Sequence, residues 1–179
     1  MKNLKALALT ALTTAATVIG TAGQAAVTHN GTRFYTPDDF TGHHATIVEK
    51  LYQMDVPVID GRGTEACESR KGGVLMGWYT SQNDYMVLCY GNQRDINETL
   101  THEAVHVVQD CRDGLNNGGL VGPNNKFYRE LASNISEHKA ETITNLYPTN
   151  KWVIETEAFY FEDKPALVSN ALTNVCGVR

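Results

Sequence analysis

The chain has 179 residues, 42% of them hydrophobic and 20% charged, with 20 acidic against 15 basic side chains and a formal net charge of −5 at pH 7. An acidic balance argues against nucleic acid or an anionic membrane as the partner, since both need a basic face. The length suits one domain with a real core once an N-terminal leader is set aside.

That leader is Met1-Lys2-Asn3-Leu4-Lys5, a basic start, followed by an uncharged stretch from Ala6 to Ile19 and a small-residue end, Gly23-Gln24-Ala25-Ala26. The order describes a secretory signal peptide over 1–25, with an apolar stretch too short to span a membrane. It leaves 26–179 as a single domain, secreted or periplasmic, with no membrane contact after cleavage. Without Lys2 and Lys5 there remain 13 basic against 20 acidic side chains, a soluble exported balance. The four cysteines, Cys67, Cys89, Cys111 and Cys176, all fall in this part. An even number in an oxidising compartment predicts two disulfides. The favoured pairing is Cys67–Cys89 across a hairpin and Cys111–Cys176 at the C-terminus.

In chain order, 27–40 is polar, with Asn30-Gly31 and Pro37-Asp38-Asp39 as turn signals, and reads as a surface arm. Residues 41–54 place Ala45, Ile47, Val48 and Leu51 near helical spacing. His43 and His44 precede them, and adjacent histidines cannot both face one site on a helix. Val56 to Asp60 reads as a short strand, and a charged, Gly-rich loop runs on to Lys71. Val74 to Thr80 and Tyr85 to Tyr90, separated by Ser81-Gln82-Asn83-Asp84, read as a hairpin. The second of these strands leads into the next helix and offers an edge on which a peptide could lie extended.

That helix carries Leu100-Thr101-His102-Glu103-Ala104-Val105-His106-Val107-Val108-Gln109-Asp110. Residues four apart share a helix face, so His102 and His106 can close on one metal ion while Glu103 reaches a water on it. The residue types follow from the chemistry. Neutral imidazole suits Zn²⁺, the ion lowers the pKa of a water to about 7, and a carboxylate takes the proton. The plain alternative is an amphipathic helix whose histidines happen to fall four apart. Against it, Ile96, Leu100, Ala104, Val105, Val107 and Val108 make the helix a buried one, where two histidines and an acid need partners or a metal. Asp95 or Asn97 is the expected cap.

After Cys111, the stretch Arg112 to Gly119 ends the helix with glycine. A polar helix is expected over 127–146, bearing Glu130, Glu137, His138 and Glu141. Residues 149–163 then read as a helix containing Glu155 and Glu157. A catalytic zinc takes three protein ligands, and no histidine follows the motif at short spacing, so Glu155 or Glu157 is the natural third. Glu130, Glu137, His138 and Glu141 come next in line.

In these two stretches, His102-Glu103-Ala104-Val105-His106 and Glu155-Thr156-Glu157-Ala158, the chain resembles the zincin metallopeptidases of the gluzincin type, in which HExxH is followed by a glutamate on a later helix. In that pattern a small residue often follows the ligand at the third position and an acid or amide at the fourth. Glu155 has Ala158 at the third position, which would let two helices approach closely, and is preferred over Glu157. Neither has the fourth-position acid that orients a ligand histidine. The resemblance implies an α+β, zincin-like fold, with a small antiparallel sheet or hairpin packed on the HExxH helix and a helical C-terminal half. It also implies a zinc-dependent peptidase acting on peptides or proteins, with Zn²⁺ on His102, His106 and Glu155 and Glu103 as general base. The chemistry further calls for an oxyanion donor, for which Tyr147, Tyr160 and His138 are all candidates. The competing readings are a zincin-like protein that binds peptides without cleaving them, and a disulfide-braced secreted domain without metal.

Overall fold

The structure, a computed structural model, describes residues 27–29, 31–68, 76–89, 91–115 and 125–178. The signal peptide expected over 1–25 lies outside these residues, as does 116–119 of the loop after the HExxH helix.

Residues 27–40 are not the free arm their composition suggests. Strands β1 (Val27–His29) and β2 (Thr32–Phe34) pair antiparallel, and a 3-10 turn follows at Pro37–Asp39. The polar run is held by two aromatic anchors, Tyr35 and Phe40, which are buried with ring centroids 5.4 Å apart. Helix α1 (Gly42–Gln53) then buries Ile47, Val48 and Leu51, as the spacing predicts, while His43 stays exposed. Strand β3 (Val58–Asp60) pairs antiparallel with β2. A short helix, α2 (Glu65–Glu68), follows it.

The expected hairpin forms from β4 (Gly77–Thr80) and β5 (Tyr85–Leu88), but the sheet it joins is mixed, not antiparallel. Val58 lies opposite Met86 in a parallel β3–β5 pair, giving the order β1-β2-β3-β5-β4. The reason is topological. The chain leaves β3, crosses through α2 and returns by β4, so β5 runs in the same direction as β3. A second correction follows, because β5 is an inner strand and the edge facing the long helix is β4. The inner position explains the apolar run of β5: Met86 and Leu88 enter the main core, while Val87 and Cys89 pack with Cys67 on the other face.

The HExxH helix is α3 (Gln93–Asp113), and it starts earlier than expected. The Asn92 side chain accepts hydrogen bonds from the Arg94 and Asp95 backbone N–H groups, and Asp95 accepts from the Asn92 N–H in return. This reciprocal cap satisfies donors that a helix start leaves free. Gly114, in the left-handed region at φ 73°, ends the helix. The single helix expected over 127–146 is two, α4 (Asn125–Asn134) and α5 (Glu137–Leu146). The break falls at Ile135-Ser136 because Ser136 caps α5, accepting from the Lys139 N–H at 3.3 Å. Helix α6 (Trp152–Phe161) carries both candidate glutamates. Helix α7 (Pro165–Cys176) closes the chain against α3 and α1.

One core cluster reaches from Tyr35 through Leu51, Val58, Leu88, Leu100 and Val105 to Ala158 and Leu172. The two disulfides are Cys67–Cys89 and Cys111–Cys176, as the sequence predicts. The second ties the C-terminal turn of α3 to the end of α7. Such bonds belong to an oxidising compartment. Among the described residues no helix is long and apolar enough to cross a membrane.

Candidate metal centre

Helix α3 stacks His102 and His106 one turn apart on the face it turns to α6, with ring centroids 5.1 Å apart. From α6, Glu155 Oε2 lies 3.5 Å from His102 Nε2 and 3.6 Å from His106 Nε2. Glu155 is 6% exposed, and this oxygen has no hydrogen-bond partner. A buried carboxylate oxygen without a donor is costly, and a cation shared with the two rings removes the cost. Tetrahedral ligand atoms at zinc-like bond lengths are about 3.4 Å apart, close to both observed distances. His102, His106 and Glu155 could therefore hold a metal ion.

The electrostatics agree with the geometry. Burial alone would lower the pKa of both histidines, but Glu155 outweighs it at His106, and Glu155 with Glu162 outweighs it at His102, so both are raised. For Glu155 burial acts upwards, and the two imidazoles still hold its carboxyl well below the usual range. The cluster calls for positive charge, supplied by protons or by a cation.

Glu157 points elsewhere. Residues two apart on a helix are separated by about 200° around its axis. Its carboxylate accepts from Gln109 Nε2 at 2.8 Å, and the same amide donates to the Ile154 carbonyl at 3.0 Å. Gln109 must therefore turn Oε1 to His106 Nδ1, 2.7 Å away. Since that oxygen only accepts, Nδ1 carries a proton, and Nε2 is the ring nitrogen that meets Glu155 across a shared proton or cation. His102 is oriented by Glu162, whose Oε2 lies 3.2 Å from Nδ1 and whose Oε1 accepts from Lys139 Nζ at 2.9 Å.

Neither Gln109 nor Glu162 is picked out in the sequence reading. Their signals are positional: Gln109 lies three residues after His106, and Glu162 seven after Glu155, at the C-cap of α6 two turns on. The acid missing from the fourth position is supplied at the seventh.

Glu103 faces a cavity of about 210 Å³ that it lines with His102, Tyr147 and Phe159. Its Oε2 accepts from the Tyr79 backbone N–H of the edge strand at 2.9 Å, and the residue is 6% exposed. The Phe159 ring stands edge-on to His102 at 4.6 Å. Of the three oxyanion-donor candidates, Tyr147 alone lines this cavity. Burial and the charges of Glu155 and Glu103 push its phenol pKa up, so it stays protonated. Tyr160 packs on Phe161 and under the Lys164 ammonium. His138, Glu130, Glu137 and Glu141 are exposed on α4 and α5, away from the histidines.

The pattern of a family described as a domain of unknown function, DUF8637, matches residues 44–177. The chain belongs to the DUF8637 family. The matched span contains every residue of the candidate centre, from Tyr79 to Glu162. No curated protein and no solved structure matches the chain.

Proposed function

We propose that this DUF8637 protein is an exported zinc-dependent metallopeptidase. The observation that carries the reading is the buried Glu155 oxygen, without a hydrogen bond and 3.5 and 3.6 Å from two imidazole nitrogens that are both oriented from behind. His102, His106 and Glu155 would hold the ion, a donor set of two nitrogens and one oxygen that suits zinc. Zinc bound there supplies Lewis acidity, making a water acidic near neutral pH and polarising a carbonyl.

The remaining steps belong to the chain. Glu103 takes one proton from the attacking water as the water oxygen bonds to the peptide carbonyl carbon. It delivers that proton to the amine nitrogen as the C–N bond breaks. The Tyr79 N–H fixes the Glu103 carboxylate between the edge strand and the cavity, so little motion is needed. Tyr147 donates its phenolic proton in a hydrogen bond to the carbonyl oxygen as that oxygen gains charge. Phe159 covers His102 and limits water on that side.

The test is cleavage of a peptide library by protein expressed without residues 1–25. Cleavage lost to a chelator and restored by zinc is the expected result. Intact peptides after zinc addition, at any pH from 5 to 9 on the order of the range in which such sites work, would contradict it.

A further inference from the structure

The cavity beside His102 is lined by neither His106 nor Glu155 and extends away from them along α3. It follows one face of α3 from His102 through Thr99 to Glu98 and Asp95, about 10 Å along the helix axis. Its near walls are Met76, Gly77 and Phe159. At Gly77 an added Cβ would lie 2.6 Å from the Val87 carbonyl oxygen and 2.7 Å from Thr99 Cγ2, so β4 lies directly against α3 there. The far end is acidic. Among the described residues that line the cavity there are four carboxylates, Asp95, Glu98, Glu103 and Glu162, and no lysine or arginine.

Two of these are engaged near the metal ligands, Glu103 by the Tyr79 N–H and Glu162 by Lys139 and His102. Asp95 accepts from the Asn92 N–H. Glu98 pairs with Arg94, whose side chain is 83% exposed, and a solvated pair of this kind exchanges readily for a better-enclosed cation. A lysine or arginine side chain carries its charge about 6 Å from Cα on an apolar stem, a shape that can lie along Met76, Gly77 and Phe159 with its charge at the carboxylates.

We propose that this cavity is a subsite for a lysine or arginine side chain of the peptide, beside the bond to be cleaved, with Glu98 and Asp95 receiving the charge. The inference rests on the peptidase reading for the word substrate, but its binding chemistry stands apart from turnover.

Two measurements separate them. Peptides identical except for lysine, norleucine or glutamate at the positions flanking one bond are titrated by fluorescence anisotropy into chelated, wild-type protein, which cannot cleave them. The same peptides are incubated with zinc-loaded protein and products are read by mass spectrometry. The lysine peptide should bind about tenfold more tightly than the norleucine peptide, with glutamate weakest. Glu98→Gln should bring the lysine-to-norleucine ratio towards one, and Glu98→Lys should invert the order of lysine and glutamate. Glu98 is half-exposed, so both variants should fold, as a melting curve checks. Equal lysine and norleucine affinities, no binding of either, or a wild-type ratio in Glu98→Lys would overturn the subsite. Lysine-selective binding without any cleavage would keep the subsite and overturn the peptidase. Cleavage with no basic preference in binding would do the reverse.

Discussion

Glu162 Oε2 lies 3.2 Å from His102 Nδ1, on the side of the ring opposite Glu155. A carboxylate there fixes the ring so that Nε2 faces the ligand position, and it makes the imidazole a stronger donor to a metal. Lys139 holds the other Glu162 oxygen, so the charge is itself positioned. Glu162→Gln should weaken zinc affinity about 10- to 100-fold in chelator competition while the melting temperature of the metal-free protein moves little. Unchanged affinity would make Glu162 a structural partner of Lys139 only.

The two glutamates of α6 should separate cleanly. Glu155→Gln removes the oxygen that faces both histidines, so zinc retention against a chelator should fall steeply. Glu157→Gln leaves the ligands in place and keeps an oxygen to accept from Gln109, losing only the charge on that bond, so it should cost about 1 kcal/mol or less in stability with smaller loss of metal. Competition titrations and thermal melts of both variants check this. The reverse ranking would move the ligand to Glu157.

In the proposed mechanism Glu103 moves protons and does not hold the ion. Glu103→Gln keeps an oxygen to accept from the Tyr79 N–H, so packing and zinc content should survive. Peptide hydrolysis should drop by at least ~100-fold. Steady-state rates with matched metal analysis decide the point, and a wild-type rate would remove Glu103 from the mechanism.

A pH-dependent part of the stability lies outside the centre, at Asp60. Burial would raise its carboxyl pKa, but the two bonds from Arg62, at 2.8 and 2.7 Å, together with Arg33, hold it below the usual value. A depressed carboxyl adds stability above its unfolded pKa of about 3.9, and that contribution is lost as pH falls through the lower native value. Asp60→Asn should therefore cost about 1–3 kcal/mol at pH 7, and the gap to wild type should close at the acid end of a urea-denaturation series. A gap that persists unchanged to pH 2 would show that the loss is packing, not charge.

What could be read in the sequence is what local spacing encodes. The HExxH face, the β4–β5 hairpin, the glycine stop at Gly114 and the disulfide pairs all follow from residue type and interval. The choice of Glu155 over Glu157 rested on the small residue Ala158, which lies in the same core cluster as Ala104, Val105 and Val108. Other features depend on contacts between distant segments. The parallel β3–β5 pair joins Val58 to Met86, and no local pattern of either strand states its direction. The polar composition of 27–40 hid the strands because Tyr35 and Phe40 outweigh many exposed neighbours. Ser136 reads as an ordinary polar helix residue until its side chain is seen capping α5. Gln109 and Glu162 have only their intervals as a signal, since the role of each is defined by the ring it meets where α3 packs on α6.

The central claim, that His102, His106 and Glu155 form a zinc site, is tested most directly by elemental analysis. Protein lacking residues 1–25 is purified, dialysed with zinc, freed of excess ion and measured beside His106→Ala. Wild type should carry about one zinc per chain, and the variant should lose most of it. No zinc in folded wild-type protein after supplementation, or the same zinc content in His106→Ala, would contradict it.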